Sequence, residues 1–387
     1  SERRDLRQSM WLAWCKRGEN PGAHNNETVM KEILKIRLAQ ARLLGYQNFS
    51  EYALADTMAG SAANARDLLM RVWTPARLRA IQEREDLKML SGLSDLAAWD
   101  WHFWTERVRK EKFDLNEAEI KPYLQLHKLM EAMFHVANRL FGVSFKQVEN
   151  IAKYHNSVTG WEVTSADGKH VGLFLSDNFA RSSKRSGAWM STYRDPMNLT
   201  QEVRPIVVNN NNFSQGPEGK PTLLSIDDAR TLFHEFGHAL HGMLANTTYP
   251  SLSGTNVFWD FVELPSQLLE NWCYEKEALN LFAKHFETNE VIPMGFIEKI
   301  KQYSNFLEGM QTIRQLSFGM LDMEWHAKNP SEITNVKAFE YDVFKNTQLF
   351  PDVKENCMST SFSHIFQGGY SSGYYSYKWA EVLDADA

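Results

Sequence analysis

Cysteine is scarce in this sequence. The 387 residues include three cysteines, Cys15, Cys273 and Cys357, which form no CxxC pair and are too scattered for a disulfide framework. Long apolar runs are absent too, since none approaches the roughly 18 residues that a membrane span requires. The N-terminus, SERRDLRQSM, has no apolar signal-peptide core. We therefore expect a cytoplasmic protein in a reducing compartment, with no membrane partner.

Positive charge is not in excess. The formal net charge is -6 at pH 7, and no basic stripe supplies the electrostatic footprint of a nucleic-acid-binding protein. With 43% hydrophobic residues, the chain can instead bury a large core. Composition thus predicts a folded globular protein with no nucleic-acid partner.

An initiating methionine is also absent. The sequence starts at Ser1 inside a stretch with a helical pattern and stops at Ala387 inside another. We therefore expect it to be a piece of a longer protein.

Hydrophobic periodicity divides the chain into three regions. Residues 1–150 repeat their apolar side chains at helical spacing. Residues 151–224 carry strand signals: a hairpin with strands at 158–163 and 171–175, and two short strands at 187–193 and 205–209. Residues 225–387 return to helical spacing. The prediction is a mainly α fold with a small β-sheet beside the helix that opens the third region, in one catalytic unit that can comprise two lobes.

That helix carries the sequence SIDDARTLFHEFGHALHGML, from Ser225 to Leu244. Ser225 and Asp228 form an acidic variant of the capping box at its start. Apolar residues cover so much of its circumference that it should be buried on most sides.

Two histidines of this helix have the spacing of zinc ligands. His234 and His238 lie one turn apart on the same face, so both imidazoles can reach one ion. Glu235 sits about 100° further round the helix, where it can act as general base on a water molecule at that ion. The motif alone leaves open a second interpretation, a pair of core histidines satisfied by backbone groups.

A catalytic zinc ion normally has three protein ligands and one open position. The next predicted helix, from Trp259 to Leu281, offers Asp260, Glu263 and Glu270 on one face. Glu263, twenty-five residues after His238, is the best third ligand by position. Asp260 or Glu270 would then orient a histidine by accepting its other N–H.

A glycine- and tyrosine-rich segment, HIFQGGYSSGYYSYKW, follows near the C-terminus. Within fourteen residues it combines one histidine with four tyrosines: His364, Tyr370, Tyr374, Tyr375 and Tyr377. Phenol and imidazole donors stabilise the negative charge that amide hydrolysis places on the carbonyl oxygen. Packing alone would explain some of these tyrosines.

The predicted sheet offers a place for an extended peptide. Its edge strand can pair with a substrate by β-augmentation, and Ala188 and Trp189 are the candidate edge residues. A purely structural sheet is the alternative. Arg181, Lys184 and Arg185 are candidate holders of a C-terminal carboxylate, with solvated surface residues as the more ordinary interpretation.

Three ordered motifs resemble the thimet-oligopeptidase family of zinc metallopeptidases, and within it the bacterial peptidyl-dipeptidases and oligopeptidase A. The motifs are FHEFGHALHGML, SGTNVFWDFVELPSQLLENW and FSHIFQGGYSSGYYSYKWAEVL. The resemblance implies one Zn²⁺ per chain, held by His234, His238 and Glu263, with Glu235 as the catalytic glutamate. It further implies that four residues face the substrate: His364, Tyr370, Tyr374 and Tyr377. Of these, Tyr370 and Tyr377 are the implied hydrogen-bond donors to the transition state.

The resemblance also implies a zincin-like helical metallopeptidase fold, with two lobes, a deep channel and the zinc at its floor. Such a channel admits short unfolded peptides, the expected substrates, and the implied reaction is release of C-terminal dipeptides. The alternatives are an oligoendopeptidase, a helical binding module with structural zinc, and a truncated zinc-binding fragment without turnover. Family members carry a helical region before the position of Ser1, so the N-terminal part of the same enzyme is the expected protein partner.

Overall fold

The computed structural model describes residues 1–113, 117–304, 306–345, 349 and 353–387. The chain is mainly α-helical, as predicted. In chain order the α-helices are α1 Arg4–Cys15, α2 Glu27–Leu43, α3 Phe49–Leu54, α4 Ala62–Ser91, α5 Trp101–Phe113, α6 Glu117–Ile120, α7 Leu126–Phe141, α8 Ile226–Leu244, α9 Trp259–Val262, α10 Leu264–Glu270, α11 Lys276–Phe282, α12 Met294–Ser304, α13 Glu308–Ala327, α14 Val336–Phe344, α15 Ser363–Phe366 and α16 Ser376–Asp386. The strands are β1 Ser144–Val148, β2 Thr159–Thr164, β3 His170–Phe179, β4 Trp189–Arg194 and β5 Ile206–Phe213.

The chain packs into two compact units. Unit 1 comprises Ser1–Asp114, Phe258–Phe261 and Asn305–Val382. Unit 2 comprises Leu115–Val257, Val262–Ser304 and Leu383–Ala387. Each unit combines segments that are distant in the sequence, whereas the three regions defined by periodicity are continuous stretches. Those three regions therefore stay a prediction.

The sheet of unit 2 has the strand order β1-β2-β3-β5-β4. The predicted hairpin is confirmed, with Thr159 opposite Ser176 across antiparallel β2 and β3. β3 and β5 run parallel, and β4 pairs antiparallel with β5. β4 is therefore an edge strand of the described sheet.

The sequence analysis missed β1, which falls inside the region predicted to be helical. Its sequence, SFKQV, has only two apolar side chains, Phe145 and Val148, so the alternation typical of a strand is too short to recognise. Phe145 stacks on Phe134 of α7, with ring centroids 4.3 Å apart.

An aromatic cluster joins this sheet to α8. Phe236 of α8 lies 5.5 Å from Phe145, 5.6 Å from Phe174 of β3 and 5.8 Å from Phe134, measured between ring centroids. Phe174 and Phe236 are both fully buried. Aromatic pairs at these distances add to the stabilisation from buried area, so the sheet fixes the position of the helix that carries the zinc motif.

In unit 1, α4 and α13 pack closely. A Cβ on Gly309 would come 2.6 Å from the backbone nitrogen of Ala80, so glycine is needed at this point of α13. The buried Glu83 of α4 accepts the N–H groups of Gly309 and Met310, at 3.2 and 2.9 Å. A buried carboxylate thus caps the start of α13.

The described helices include none that is both long and apolar enough to cross a lipid bilayer. All three cysteines are buried free thiols.

Candidate metal centre

Helix α8 begins where the sequence predicts because its first turn is capped in both directions. Ser225 Oγ accepts the N–H of Asp228 at 3.0 Å, and Asp228 Oδ2 accepts the N–H of Ser225 at 3.0 Å. This complete capping box satisfies two of the backbone donors that a helix start leaves exposed.

Gly237, between the two histidines, sets the distance from α8 to α10. A Cβ at this position would come 2.5 Å from the carbonyl oxygen of Pro265 and 2.6 Å from Cα of Ser266. Both are backbone atoms, so a side chain at residue 237 would push the two helices apart. Glycine therefore allows the chain around Glu263 to reach the histidines.

The ligand atoms of His234, His238 and Glu263 converge. Glu263 Oε2 lies 3.3 Å from His234 Nε2 and 3.1 Å from His238 Nε2. The three ligand atoms all lie within 4.8 Å of one another. In a tetrahedral zinc site with bonds of about 2.1 Å, neighbouring ligand atoms are about 3.4 Å apart. The spacing of the three side chains fits a single cation.

Glu263 lies at a break in the chain's helical structure, where the sequence predicts one continuous helix. Instead of one helix from Trp259 to Leu281, the chain forms α9, α10, a 3-10 turn and α11, and Glu263 is the residue that precedes α10. Pro265 explains the break, because its ring clashes with the carbonyl four residues earlier and it has no N–H to donate. The predicted continuous helix is therefore wrong, and Asp260 lies in a separate helix, while Glu263 and Glu270 both contact His234.

The electrostatics of the cluster are strongly coupled. Burial lowers the pKa of His234, but its hydrogen bonds to Glu263 and Glu270 outweigh burial and raise that pKa to about 10. Burial raises the pKa of Glu263, and the hydrogen bonds from the two imidazoles reverse this and hold it well below the usual value. The carboxylates of Glu263 and Glu270 thus place negative charge beside the imidazoles, where a proton and a metal ion would compete for the same nitrogen atoms.

Glu235 is buried beside these ligands, with 4% of its surface exposed. No described residue makes a hydrogen bond to its Oε2 atom. Burial raises the pKa of Glu235, and the carboxylates of Glu263 and Glu270 add to the rise while His234 and His238 oppose it. A buried carboxylate with an oxygen left without a protein donor fits a group that exchanges protons with a substrate or a water molecule.

Of the two acidic residues predicted to orient a histidine, Glu270 does so. Glu270 Oε1 lies 2.7 Å from His234 Nδ1, which leaves Nε2 of that ring to face Glu263. Asp260 instead accepts the N–H groups of Met58 and Ala59, at 3.0 and 2.9 Å, and the hydroxyl of Tyr375 at 2.7 Å, all within unit 1. Because the helix breaks at Glu263, Glu270 contacts the metal centre while Asp260 binds the backbone of unit 1.

The candidate substrate-binding residues Ala188 and Trp189 lie at the start of the edge strand. Trp189 is the first residue of β4 and pairs with Asn210 of β5, and Ala188 immediately precedes it. Both are half-buried. The guanidinium of Arg185 lies 4.3 Å from the Trp189 ring centroid, in cation-π contact.

Arg181 and Lys184 are not solvated surface residues. Both bind the fully buried Asp177, Arg181 through two hydrogen bonds of 2.7 and 2.8 Å and Lys184 at 3.0 Å. The Lys184 side chain is 2% exposed and also donates to the carbonyl of Asn211 at 2.5 Å. Only Arg185, which is exposed, remains a candidate holder of a substrate carboxylate.

The segment 364–377, which we call the tyrosine loop, lies in unit 1. Its predicted donors are close together: Tyr370 stacks on Tyr377 at 5.1 Å between ring centroids, and His364 lies 6.3 Å from Tyr370. The Tyr374 hydroxyl donates to Gln315 Oε1 at 2.7 Å. The predicted contact of Tyr374 with substrate would have to replace that hydrogen bond.

The sequence profile of Peptidase family M3 matches residues 1–387. This chain belongs to peptidase family M3. The family consists of metallopeptidases that are in general zinc-dependent, and His234, His238 and Glu263 form a possible metal-binding group in this member.

Individual relatives extend the comparison. The chain is 38% identical to the dipeptidyl carboxypeptidase of Salmonella typhimurium over 390 residues, which cover 99% of this chain and 57% of that protein. It is 34% identical to oligopeptidase A of the same organism over 394 residues, 99% of this chain and 58% of that protein. The chain thus spans less than three-fifths of the length of these relatives.

A solved structure of PZ peptidase A with inhibitor 2 has the same fold. It superposes with a TM-score of 0.59 over 100% of this chain and 59% of that one, at 17% identity.

Sequence reasoning missed the contribution of Gly237. The available signal was a glycine in the middle of a buried helix, where glycine is otherwise unfavourable. Such a glycine indicates that another backbone segment approaches closely.

Proposed function

We propose that this M3 family member hydrolyses peptide bonds in short peptides with one zinc ion at His234, His238 and Glu263, and that it releases C-terminal dipeptides. The observation that carries the proposal is the 3.3 and 3.1 Å spacing between Glu263 Oε2 and the two imidazole Nε2 atoms. It matches the ligand spacing of a catalytic zinc site with three protein ligands.

Zinc bound by these residues would polarise the scissile carbonyl and lower the pKa of a water molecule toward about 7. Glu235 accepts the proton of that water as its oxygen attacks the carbonyl carbon. When the C–N bond breaks, Glu235 returns the proton to the departing amine nitrogen. Its buried Oε2 atom receives no hydrogen bond from the described residues, which leaves that oxygen able to accept the proton.

The oxyanion donors are proposed from the family resemblance. Tyr370 and Tyr377, together with His364, donate hydrogen bonds to the carbonyl oxygen as negative charge develops there. Their grouping within one segment of unit 1 supports a common task. Each well-placed donor of this kind contributes about 3 kcal/mol to transition-state stabilisation.

Release of a dipeptide requires a group that recognises the substrate's C-terminal carboxylate. Arg185 is the candidate, because it is exposed and lies against Trp189 at the start of edge strand β4. An extended peptide pairing with β4, beginning at Ala188 and Trp189, would run beside this guanidinium.

Two peptides test the proposal. The chain is incubated with a short peptide and its C-terminally amidated twin, with and without a chelator, and products are identified by mass spectrometry. We expect a C-terminal dipeptide from the free acid, little cleavage of the amide, and no cleavage with chelator. Equal internal cleavage of both peptides would favour the oligoendopeptidase alternative, and zinc binding without cleavage would favour the fragment without turnover.

An Arg185→Gln variant sharpens the distinction. If Arg185 holds the carboxylate, the variant should lose its preference for the free acid over the amide and keep its zinc content. An unchanged preference would rule out this role for Arg185.

A further inference from the structure

We propose that Asp322 is a positioning residue for the tyrosine loop, and that it acts together with His326 and Arg37. The three side chains form a group that we call the loop clamp. The inference rests on the proposed function, because it matters for chemistry only if Tyr370 and Tyr377 serve the reaction. All of its contacts lie within unit 1.

Asp322, on α13, is fully buried and binds the backbone of the loop directly. Its Oδ1 atom accepts the N–H of Ser372 at 2.8 Å, and its Oδ2 atom accepts the N–H of Tyr374 at 2.9 Å. Hydrogen bonds from backbone N–H groups to a buried carboxylate are charge-assisted and stronger than neutral ones. Both donating residues, Ser372 and Tyr374, lie between Tyr370 and Tyr377 in the sequence.

His326 connects this carboxylate to Arg37. The guanidinium Nη1 of Arg37 lies 2.8 Å from His326 Nε2, and His326 Nδ1 lies 2.8 Å from Asp322 Oδ1. A guanidinium can only donate, so Nε2 accepts, and the ring proton on Nδ1 donates to the backbone carbonyl oxygen of Asp322 at 2.9 Å. The imidazole therefore lies between the guanidinium of Arg37 and the carboxylate of Asp322.

Arg37 also holds the beginning of the loop. It donates to the carbonyl oxygens of Ile365 and Phe366, at 2.7 and 3.3 Å. The clamp thus binds the chain on both sides of Tyr370, at residues 365–366 through Arg37 and at residues 372 and 374 through Asp322.

The backbone of the loop needs such support. Ser372 has a φ of 56°, in the left-handed region that residues other than glycine rarely adopt. Strained conformations of this kind persist only when surrounding contacts enforce them. Ser372 Oγ also donates a 2.8 Å hydrogen bond to the buried Ser50 Oγ, so the strained residue is held through both its backbone and its side chain.

Unit 1 provides a matched control in Glu83. Like Asp322, it is a buried carboxylate that accepts two backbone N–H groups, in this case of Gly309 and Met310 at the start of α13. It makes no contact of this kind with the tyrosine loop. Asp322→Asn and Glu83→Gln should destabilise the protein similarly, and only the first should release the loop.

Hydrogen exchange of backbone amides tests directly whether Asp322 holds the tyrosine loop in place. In Asp322→Asn, we expect exchange in peptides covering residues 367–376 to accelerate about tenfold or more relative to the parent, with the rest of unit 1 unchanged. In Glu83→Gln, the faster exchange should be confined to the start of α13. Unchanged exchange of the loop in Asp322→Asn, or equal acceleration throughout unit 1, would overturn the proposal.

Arg37→Lys serves as a second variant, because Arg37 is only half-buried and lysine keeps the charge while losing the planar fork. We expect faster exchange at residues 364–368 in this variant. If Asp322→Asn does not fold, this variant decides: protection equal to the parent at these residues would contradict the clamp.

Steady-state kinetics test whether the contacts of Asp322 with the tyrosine loop contribute to peptide hydrolysis. For zinc-loaded Asp322→Asn we expect kcat to fall about 10- to 100-fold, with KM close to the parental value and the kcat of Glu83→Gln unchanged. A parental kcat in a variant whose loop exchanges faster would overturn the positioning role. If the parent chain cleaves no peptide, the proposed function fails, and hydrogen exchange alone decides whether Asp322 holds the loop.

Discussion

The loop clamp and the metal centre each combine histidine with a buried carboxylate, and they differ in the source of positive charge. In the loop clamp, the fixed positive charge is the guanidinium of Arg37, which contacts one side of the His326 ring while the carboxylate of Asp322 lies 2.8 Å from the other. In the metal centre, Glu263 is bound by two imidazoles, which are charged only when they hold an extra proton. Among the described residues, only the metal centre brings three ligand atoms of such side chains within 4.8 Å. Similar residues therefore form a cluster with its own fixed cation in unit 1 and a candidate site for an added cation in unit 2.

In unit 2, the buried Asp177 also lies in a cluster that has its own fixed positive charge, as Asp322 does in the loop clamp. Arg181 and Lys184 supply its positive charge, and the Tyr154 hydroxyl donates a further hydrogen bond at 3.0 Å. A buried histidine or lysine beside a carboxylate is thus not enough to indicate a metal. What distinguishes the metal centre is that the ligand atoms of His234, His238 and Glu263 converge, while Arg230 lies 3.8 Å from Glu270, outside the ligand set.

The largest predicted effect concerns Glu235. In Glu235→Gln, zinc should remain bound while kcat falls by a factor of about 10³ to 10⁴, because the general base is lost. Peptide cleavage by the zinc-loaded variant measures this. Glu340→Gln is the control, since Glu340 is a buried carboxylate that binds the backbone at Met358 and Ser359. Parental turnover in Glu235→Gln would refute the assignment.

Tyr377→Phe should produce the next largest effect. Removal of one oxyanion donor should lower kcat about 100-fold, with little change in KM, because the contact exists only in the transition state. Steady-state kinetics on the zinc-loaded variant check it. A change confined to KM would instead assign Tyr377 to substrate binding.

Asp177→Asn tests how much a buried carboxylate paired with Arg181 and Lys184 contributes to stability. It leaves the buried Lys184 without its carboxylate and should lower the free energy of unfolding by about 3 kcal/mol at pH 7, with zinc content unchanged. Denaturant unfolding measures the difference. Zinc loss in this variant would show that the two kinds of cluster are not independent.

The same variant has a predicted pH dependence. Burial raises the pKa of Asp177, but hydrogen bonds from Arg181 and Lys184 outweigh burial and hold it below the ordinary 3.8. The folded state therefore binds this proton less readily than the unfolded state, so the carboxylate stabilises the fold above pH 3.8 and loses its effect as the pH falls through the lower folded-state pKa. The difference between parent and variant should shrink on acidification from pH 7, and a constant difference would contradict the pairing.

Glu270→Gln should have the smallest effect of the series. Glu270 orients His234 through Nδ1 and does not belong to the ligand set, so zinc affinity should fall by about 10- to 100-fold without being abolished. Titration with a competing chelator gives the affinity. Complete loss of zinc would place Glu270 among the ligands.

The metal centre was largely predictable from the sequence because its residues are local. His234, Glu235 and His238 share two turns of one helix, and the capping box at Ser225 and Asp228 marks where that helix begins. Glu263 could be proposed by its position alone. Its actual placement depends on the break before Pro265 and on the close approach at Gly237, which are tertiary features.

The loop clamp could not be predicted. Arg37 and His326 are separated by 289 positions, and neither belongs to a recognisable motif. The same limit explains the misjudged Lys184, whose burial depends on Asp177 and on carbonyl groups of β3 and β5. Charged residues are ordinarily exposed, and only the folded chain reveals which of them are enclosed.

Metal analysis shows whether His234, His238 and Glu263 bind one zinc ion. Zinc content per chain is measured for the parent, Glu263→Gln and Asp322→Asn after equilibration with zinc and removal of excess metal. We predict one zinc ion per chain in the parent and in Asp322→Asn, and none in Glu263→Gln. Equal zinc content in the parent and Glu263→Gln would contradict the account.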